Sequence, residues 1–474
     1  MNSSKVLDIF KEITRIPRES GHEEPMTEFL RRFAEERNLE CKVDATGNVC
    51  IIKEASAGKE DVPSLVLQGH QDMVCEKRNG VLHDFRKDPI DYVVEDGWMI
   101  AKDTTLGADD GIGVAAMLAL LESDLPMGRL ECVFTISEET GMDGAFAMES
   151  GFFTGRTLIN LDSEDEGQMF IGCAGGIDTV ATFRYVHEDV AKGYFPVRLD
   201  IGGALGGHSG DDIDKGRANT VKLMALFLAE ELPKGMQLVV FKGGNKPNAI
   251  ARECESIVLV PDRAATVARF KSFGERMGKE YSKTDPGITF KAGNFRCTEK
   301  PIDSVVAGRL IGALAACPHG VEAMSKDIPG LVETSTNLAS VRMRRQGEIV
   351  VVTSQRSSLA SGRRMMADKV ASCFFRAGAG VVHNSEYPGW KPNLDSRILH
   401  VCVESYRKLF GCDPEVKAIH AGLECGLFGE KFGDLDMISF GPTLRGVHAP
   451  GEKLELASLD KFTAHLIDVV TSFR

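Results

Sequence analysis

Short apolar runs alternate along the first part of the chain with longer stretches in which apolar residues recur every three or four positions. The runs at 49–52, 64–68 and 130–136 predict strands that are covered on both faces. The longer stretches predict amphipathic helices, the first of which ends near Pro17. This alternation is typical of an α/β domain.

The pattern changes between residues 185 and 385, where helices and strands follow the order of an α+β unit and that order occurs twice. Asn248 and Asn337 hold equivalent places in the two halves, and a turn is predicted at 345–347. We therefore predict a tandem pair of ferredoxin-like units inserted into an α/β fold. The predicted domains are a discontinuous one with a mixed sheet flanked by helices, residues 1–184 and 386–474, and the insertion, residues 185–385.

Composition and charge exclude several classes of function. The chain has 474 residues and a formal net charge of −13, which argues against nucleic acid or an anionic membrane as the main partner. No apolar run approaches the roughly 20 residues that span a bilayer, and charged residues interrupt the first helix, unlike a signal peptide. Twelve cysteines occur without a CxxC pair, as expected for reduced thiols in the cytoplasm.

Histidine and acidic residues occur where the predicted strands end. His70 and Asp72 follow the second predicted strand, and Glu138 and Glu139 follow the third. Asp162 follows a fourth apolar run, 157–161, which also predicts a strand. In an open α/β sheet, ligands bind outside the carboxyl ends of the strands. The recurrence of such residues at strand ends therefore predicts a functional site at that edge of the sheet.

Two adjacent acids, Asp109 and Asp110, lie between Gly107 and Gly111 and directly precede an apolar run that predicts a helix. Glycine permits turns that are closed to other residues. Aspartate is a favourable N-cap, and the helix dipole stabilises its charge. Aspartate is also a metal ligand. The local sequence leaves open which role each acid has.

The candidate metal ligands comprise two imidazoles and three carboxylates, a set that suits Zn²⁺ or a similar divalent ion. Five protein ligands exceed the need of one tetrahedral catalytic zinc, so two metal ions that share a carboxylate fit better. Asp72 is placed to orient His70, and Glu138 to take a proton from the attacking water. Taken singly, each residue also has an ordinary role as a cap, a surface histidine or a solvated acid. The candidate metal ligands are His70, Asp109, Glu139, Asp162 and His448.

The motifs together resemble the dinuclear zinc peptidases of the M20 type. Within that family the resemblance extends to bacterial dipeptidases that cleave aminoacyl-histidine, and it covers essentially the whole chain. The family motifs are IPRESGHE (16–23), GHQD (69–72), GADDG (107–111), SEETG (137–141), NLD (160–162) and His448. The motifs of the dipeptidases are GGHSG (206–210), NAI (248–250), QRSS (355–358) and HAGLECG (420–426).

The resemblance implies two Zn²⁺ ions per chain, with Co²⁺ or Mn²⁺ as substitutes. Asp109 would bridge them, and Asp110 would shape the peptide link that aims Asp109, through a cis bond as in relatives. One ion would also take His70 and Asp162, and the other Glu139 and His448. Glu138 would be the general base and Asp72 the orienting acid.

The inserted domain would be a lid that carries substrate-binding residues. His208 would donate to the developing oxyanion with help from Asn248, and Arg356 would hold the C-terminal carboxylate. Glu424 lies in a family motif near the site, where it would support a loop or the substrate amine. Many relatives have one lid unit and dimerise through it. Since both lid halves are present here, we hypothesise that a monomer is catalytically complete.

The expected function is hydrolysis of dipeptides by metal-activated water with Glu138 as the base. An amidohydrolase acting on N-acyl amino acids or tripeptides is an alternative within the family. A non-catalytic peptide-binding relative is an alternative from another class. The expected partner is a dipeptide substrate, with no nucleic acid and no membrane, and a homodimer remains open.

Overall fold

The computed structural model describes residues 1–344 and 346–474, so residue 345 of the predicted turn lies outside this description. The described chain divides into two compact units. The first unit is discontinuous and contains Met1–Gly172, Pro392–Ala418 and Leu423–Arg474. The second unit contains Cys173–Lys391 and Ile419–Gly422. A chain segment is therefore inserted into the first unit.

The N-terminal segment of the first unit alternates helices with short strands. Its elements are α1 (Ser3–Ile13), α2 (Glu24–Glu36), β1 (Glu40–Val43), β2 (Val49–Lys53), β3 (Leu65–His70), β4 (Tyr92–Glu95), β5 (Trp98–Ala101), α3 (Ala108–Glu122), β6 (Leu130–Thr135), α4 (Glu138–Gly141), α5 (Asp143–Ala147), β7 (Thr157–Asn160) and β8 (Gln168–Cys173).

The inserted segment contains most of the long antiparallel strands. Its elements are β9 (Gly175–Arg184), β10 (Phe195–Gly202), α6 (Thr220–Glu231), a 3₁₀ turn (Leu232–Lys234), β11 (Gln237–Gly243), β12 (Cys254–Val260), α7 (Arg263–Glu280), β13 (Thr289–Asn294), α8 (Ser304–Ala316), β14 (Gly320–Met324), β15 (Val332–Arg344), β16 (Glu348–Ser357), α9 (Ala360–Arg376) and β17 (Gly380–Tyr387).

The C-terminal segment returns to the first unit. Its elements are α10 (Arg397–Phe410), β18 (Glu415–Ile419), α11 (Glu424–Phe432), β19 (Asp436–Ser439), β20 (Leu444–Arg445), β21 (Lys453–Glu455) and α12 (Leu456–Ser472). None of the helices that the structure describes is both long and apolar enough to cross a lipid bilayer.

The first unit is built on a mixed eight-stranded sheet with the order β1-β2-β6-β3-β7-β19-β8-β18, which confirms the predicted α/β fold class. Strand β3 is parallel to both of its neighbours, β6 and β7. Every residue of β3 and β6 is buried, as expected for strands that are covered on both faces. The three parallel strands consequently end at one edge, and the segments that follow them leave the sheet close together.

Helix α3 is apolar on all sides and is buried from Ala108 to Leu121. It packs against α1 and β3. A helix that is apolar all round belongs in a core. The start of α3, which carries Asp109, is thereby fixed relative to the strand that carries His70.

The second unit contains one nine-stranded sheet, in which β13-β10-β12-β11 continues into β15-β16-β9-β17 and β14 pairs with β15. Each group of four has the order and antiparallel pairing of a ferredoxin-like unit. The two ferredoxin-like units within this sheet are nested rather than tandem. The first strand of one of them, β9, precedes the whole of the other and pairs with β17 some two hundred residues later.

This pairing also explains where the compact units divide. The predicted boundaries at 184/185 and 385/386 fall at the end of β9 and within β17, whereas the structure divides at 172/173 and 391/392. The predicted equivalence of Asn248 and Asn337 was wrong. Asn248 lies in the loop between β11 and β12, but Asn337 lies inside β15, opposite Ser354.

Candidate metal centre

The loops that follow the parallel strands of the first unit bring the candidate ligands to one place. His70 is the last residue of β3, and it lies opposite Thr135, the last residue of β6. Glu138 and Glu139 follow β6 in the short helix α4. Asp162 follows β7, whose register with β3 aligns Asn160 with Gln68. The edge predicted from the sequence is therefore the edge at which these side chains meet.

Asp109 lies between the two imidazoles of the centre. Its Oδ1 atom is 3.0 Å from Nε2 of His70, and its Oδ2 atom is 3.0 Å from Nε2 of His448. Nε2 of His448 is also 3.0 Å from Oε2 of Glu139, and Nε2 of His70 is 3.7 Å from Oδ1 of Asp162. Each oxygen of Asp109 thus lies close to one imidazole and to one further carboxylate.

This donor set fits divalent metal ions. In three groups, the ligand atoms all lie within 4.8 Å of one another. Imidazole nitrogen and carboxylate oxygen are the ligands that zinc and related ions take. The groups are His70, Glu138 and Glu139; His70, Asp109 and Asp162; and Asp109, Glu139 and His448.

The electrostatics of the cluster also favour a cation. Burial and the neighbouring carboxylates raise the pKa values of Glu138 and Asp162. Burial opposes the ionisation of Asp109, but hydrogen bonds to His448 and His70 hold its pKa well below the ordinary value. Hydrogen bonds to Asp109 and Glu139 raise the pKa of His448 to about 11. Buried acids crowded in this way are relieved by a bound cation, which is itself the largest charge in such a site.

Asp72 is fully buried and holds two parts of the centre together. Its Oδ1 atom lies 3.4 Å from Nδ1 of His70, on the ring edge opposite Asp109. Its carboxylate also accepts hydrogen bonds from the backbone N–H groups of Glu138, at 3.1 Å, and Glu139, at 3.2 Å. Burial raises the pKa of Asp72, but its hydrogen bonds lower that pKa by more. The carboxylate is therefore suited to orient both the imidazole and the α4 turn.

Asp110 has a different task from its neighbour. Its Oδ1 atom accepts a hydrogen bond from the backbone N–H of Gly113 at 3.2 Å, as a helix cap does. Its side chain lies against Gly69 and Gly113, where a Cβ atom would overlap with the carboxylate. The peptide bond between Asp109 and Asp110 is cis, as the family resemblance implies. The cap role that the sequence left open therefore falls to Asp110, and Asp109 is the candidate metal ligand of the pair.

The second unit gathers three predicted substrate-binding residues around one loop. Nδ1 of His208 lies 3.1 Å from Oδ2 of Asp211. The neighbouring Ser209 receives a hydrogen bond from Nε of Arg356 at 3.3 Å, and its backbone N–H donates to the carbonyl of Asn248 at 2.8 Å. His208, Asn248 and Arg356 are thereby linked within one unit, as residues of a common site would be.

Arg356 is buried, and its guanidinium has a further partner in Tyr387, whose hydroxyl oxygen lies 3.0 Å from Nη1. Asn337 stabilises the same region from β15. Its Nδ2 atom donates to the carbonyls of Pro247 and Ala249, each at 2.9 Å, on either side of Asn248. The sequence did not indicate either contact, because both partners are distant in the chain.

Glu424 is fully buried in the first unit, and its Oε2 atom accepts hydrogen bonds from Gln68, at 2.6 Å, and Thr135, at 2.8 Å. Burial raises its pKa to about 8. The carboxyl group therefore braces β3 and β6 directly behind the candidate ligands. Of the two roles considered from the sequence, these contacts favour support of the site.

Several residues that hold the centre together were not identified from the sequence. Ser20 donates to Asp72 at 2.7 Å, and Ser137 donates to Glu23 at 2.9 Å. Arg18 and Glu452 contact the backbone that leads up to Asp109. Only the resemblance of the 16–23 segment to a family motif pointed toward this region, and nothing local marked Glu452.

The sequence profile of peptidase family M20/M25/M40 matches residues 66–472. The chain therefore belongs to this family of metal-dependent peptidases. It is 36% identical over 469 residues to the cytosol non-specific dipeptidase of Escherichia coli (strain K12), and the match covers 98% of this chain and 96% of that protein.

Solved structures agree with this assignment. The crystal structure of aminoacylhistidine dipeptidase from Vibrio alginolyticus matches with a TM-score of 0.91 and 37% identity, over 99% of this chain and 97% of that one. Aminopeptidase PepT from Bacillus cereus ATCC 10987 matches with a TM-score of 0.62 and 16% identity, over 99% and 98%. This second likeness supports the fold alone.

Proposed function

We propose that the protein is a metal-dependent dipeptidase that hydrolyses dipeptides such as aminoacyl-histidine and β-alanyl-histidine. The observation that carries the proposal is the position of Asp109, which has one carboxylate oxygen 3.0 Å from each of two imidazoles. The choice of dipeptides is supported by two relatives at 36% and 37% identity, each named as a dipeptidase and matched over nearly its whole length. The name of the Escherichia coli relative also supports a cytoplasmic location.

Two zinc ions, for which Co²⁺ or Mn²⁺ would substitute, fit the donor set. Asp109 would be shared, His70 and Asp162 would hold one ion, and Glu139 and His448 the other. When bound, zinc lowers the pKa of a water molecule to about 7 and polarises a carbonyl group.

Glu138 takes a proton from the attacking water and delivers it to the nitrogen of the leaving amine. The remaining hydroxide becomes part of the new carboxyl group, so the atoms of one water molecule are accounted for. Burial raises the pKa of Glu138, which is the direction that suits a carboxylate that both takes and gives a proton. Asp72 holds the His70 ring and the Glu138 backbone in register during these transfers.

The first unit is assigned as the catalytic domain and the second as a lid. His208 donates a hydrogen bond to the developing oxyanion, with Asn248 beside it. Arg356 binds the C-terminal carboxylate through its planar guanidinium, and its bonds to Ser209 and Tyr387 hold it in place. Glu424 supports the strands beneath the metal centre. Recognition of a free carboxylate and a free amine restricts the substrate to a dipeptide.

The test is turnover on a substrate panel, with the metal content assayed on the same sample. The panel contains β-alanyl-histidine, an α-aminoacyl-histidine, other dipeptides, a tripeptide and an N-acetyl amino acid. We expect dipeptides to be cleaved fastest and a chelator to abolish cleavage until zinc is restored. Preference for the tripeptide or the N-acyl substrate would replace the proposed specificity. A metal-loaded protein that cleaves nothing would be a peptide-binding relative.

A further inference from the structure

We infer that Arg18 and Glu452 are positioning residues that hold the backbone around Asp109 and so set the affinity and geometry of the metal centre. The inference rests on the proposed function, because it takes Asp109, His70 and His448 as metal ligands. Neither Arg18 nor Glu452 is itself a candidate ligand. Each connects two of the segments that carry those ligands.

Glu452 is 2% exposed and points its carboxylate at consecutive backbone N–H groups. Its Oε2 atom accepts from Leu106 at 2.7 Å and from Gly107 at 3.0 Å, and its Oε1 atom accepts from Ala108 at 2.8 Å. Such a row of N–H groups forms an anion-binding nest. The nest includes the N–H of Asp109 itself, which donates to Oε1 at 3.4 Å, and Glu452 lies in the same loop as His448. One carboxylate therefore joins the segments of both residues.

Arg18 is also 2% exposed and approaches the same backbone with donors. Its Nη1 atom donates to the carbonyls of Gln71, at 3.0 Å, and Asp72, at 2.7 Å. Its Nη2 atom donates to the carbonyl of Gly107. The guanidinium thus joins the segment that follows His70 to the segment that precedes Asp109.

Glu452 and Arg18 contact the same peptide segment, Glu452 through its N–H groups and Arg18 through a carbonyl group. Glu452 binds the N–H of Gly107, and Arg18 binds the carbonyl of the same residue. Rotation of this segment would break both contacts at once. Because the side chain of Asp109 follows directly, its two oxygens keep their separate directions toward His70 and His448.

The glycines on either side of the acid pair make room for this arrangement. Gly107 has φ +68°, and a Cβ atom there would overlap with Nη2 of Arg18. A Cβ atom at Gly111 would overlap with the same Nη2 atom. The two glycines that flank the acid pair in the sequence therefore leave the space that the buried guanidinium of Arg18 occupies.

The alternative is that Glu452 only stabilises the fold, since its charge also lies at the N-terminus of α3. Glu131 provides a matched control for a buried carboxylate that affects stability alone. This carboxylate is fully buried in the same unit and accepts backbone hydrogen bonds from Thr154, at 2.8 Å, and Gly155, at 3.0 Å. It lies near the start of β6, whereas the metal centre lies beyond the end of that strand.

The experiment compares the unaltered chain with the variants Glu452→Gln, Arg18→Lys and Glu131→Gln. Zinc affinity is measured by competition with a chelating dye, the ligand geometry by the visible spectrum of the Co²⁺-loaded protein, and stability by thermal unfolding of the metal-free protein. We expect all three variants to lower the unfolding temperature. Only Glu452→Gln and Arg18→Lys should weaken zinc binding, by about 10- to 100-fold, and shift the Co²⁺ spectrum.

Unchanged zinc affinity and an unchanged spectrum in Glu452→Gln and Arg18→Lys would overturn the inference, as would equal losses in Glu131→Gln. If Glu452→Gln does not fold, Arg18→Lys is judged against Glu131→Gln alone. The proposed function is judged separately on the unaltered chain. If that chain binds zinc and cleaves dipeptides while the variants bind as tightly, only the inference fails. If it binds no zinc, both fail.

Discussion

Asp109 and Asp110 are adjacent in the chain, yet their carboxylates serve different partners. The oxygens of Asp109 lie 3.0 Å from His70 and His448, whereas Asp110 accepts a hydrogen bond from the N–H of Gly113. The first residue therefore belongs to the candidate metal centre and the second to the start of a helix.

This division predicts opposite effects of matched substitutions. Asp109→Asn should lose bound metal and with it the activity, because an amide replaces the shared carboxylate. Asp110→Asn should retain the bound metal and lose about 1 kcal/mol of unfolding free energy, the usual value of a cap. Metal analysis and urea unfolding of the two purified variants check this. Loss of metal from Asp110→Asn alone would reverse the assignment.

Glu138→Gln should keep the metal ions and lose most of the rate. The amide cannot accept the proton of the attacking water, and loss of a general base typically lowers kcat by about 10²- to 10⁴-fold. Glu404→Gln, an exposed acid on α10, is the matched control and should keep the full rate. The check is the steady-state rate of each variant, with the metal content measured on the same samples. A metal-replete Glu138→Gln protein with full activity would contradict the role as base.

The proposed function carries the hypothesis that one chain is catalytically complete. Arg356 is bonded to Ser209 next to His208, so the two residues proposed to bind the substrate lie together in the second unit of one chain. Mixing His208→Ala protein with Glu138→Ala protein should therefore restore no activity. The assay is turnover after incubation of the mixture across a range of concentrations. Recovered activity would mean that the lid of one chain completes the site of another.

Buried histidines away from the metal centre predict a loss of stability in acid. His465 lies against the carbonyl of Cys402 at 2.9 Å, and burial lowers its pKa to about 4. The unfolded chain binds a proton near pH 6.5 that the folded chain does not yet bind. The free energy of unfolding should therefore fall as the pH falls from 6.5 to 4, by up to about 1.4 kcal/mol per pH unit for this residue.

His465→Gln tests this directly, because its amide can still donate to the carbonyl of Cys402 but does not titrate. We expect a shallower decline of stability between pH 6.5 and 4 than in the unaltered chain. His400→Gln, at an exposed position on α10, should leave the slope unchanged. Urea unfolding of all three proteins at each pH gives the slopes. Equal slopes for His465→Gln and the unaltered chain would exclude His465 as a source of the acid sensitivity.

Local patterns were sufficient where a feature depends on neighbouring residues. The apolar runs that became β3 and β6 are buried on both faces, and short continuous apolar runs are typical of strands covered by helices. Residues directly after these strands had to emerge at the same edge, which placed His70 and Glu139 near one another. The adjacent acids and glycines also marked the start of α3 as unusual.

Tertiary structure decided what depends on distant pairing. The insertion contains two ferredoxin-like units, but β9 pairs with β17 across the other unit, so they are nested. Periodicity cannot reveal this, because it reports which face of a strand is buried and not which strand lies beside it. The predicted equivalence of Asn337 with Asn248 failed for the same reason, because Asn337 lies inside β15.

The contacts that support the metal centre were likewise decided by the tertiary structure. The sequence determined which residues could bind a metal, because ligand chemistry depends on residue type and on the strand ends that carry it. It did not determine that Glu452 would meet the N–H groups before Asp109, or that Arg18 would fill the space left by two glycines. Those contacts join residues more than 80 positions apart, and only the packing of the folded chain brings them together.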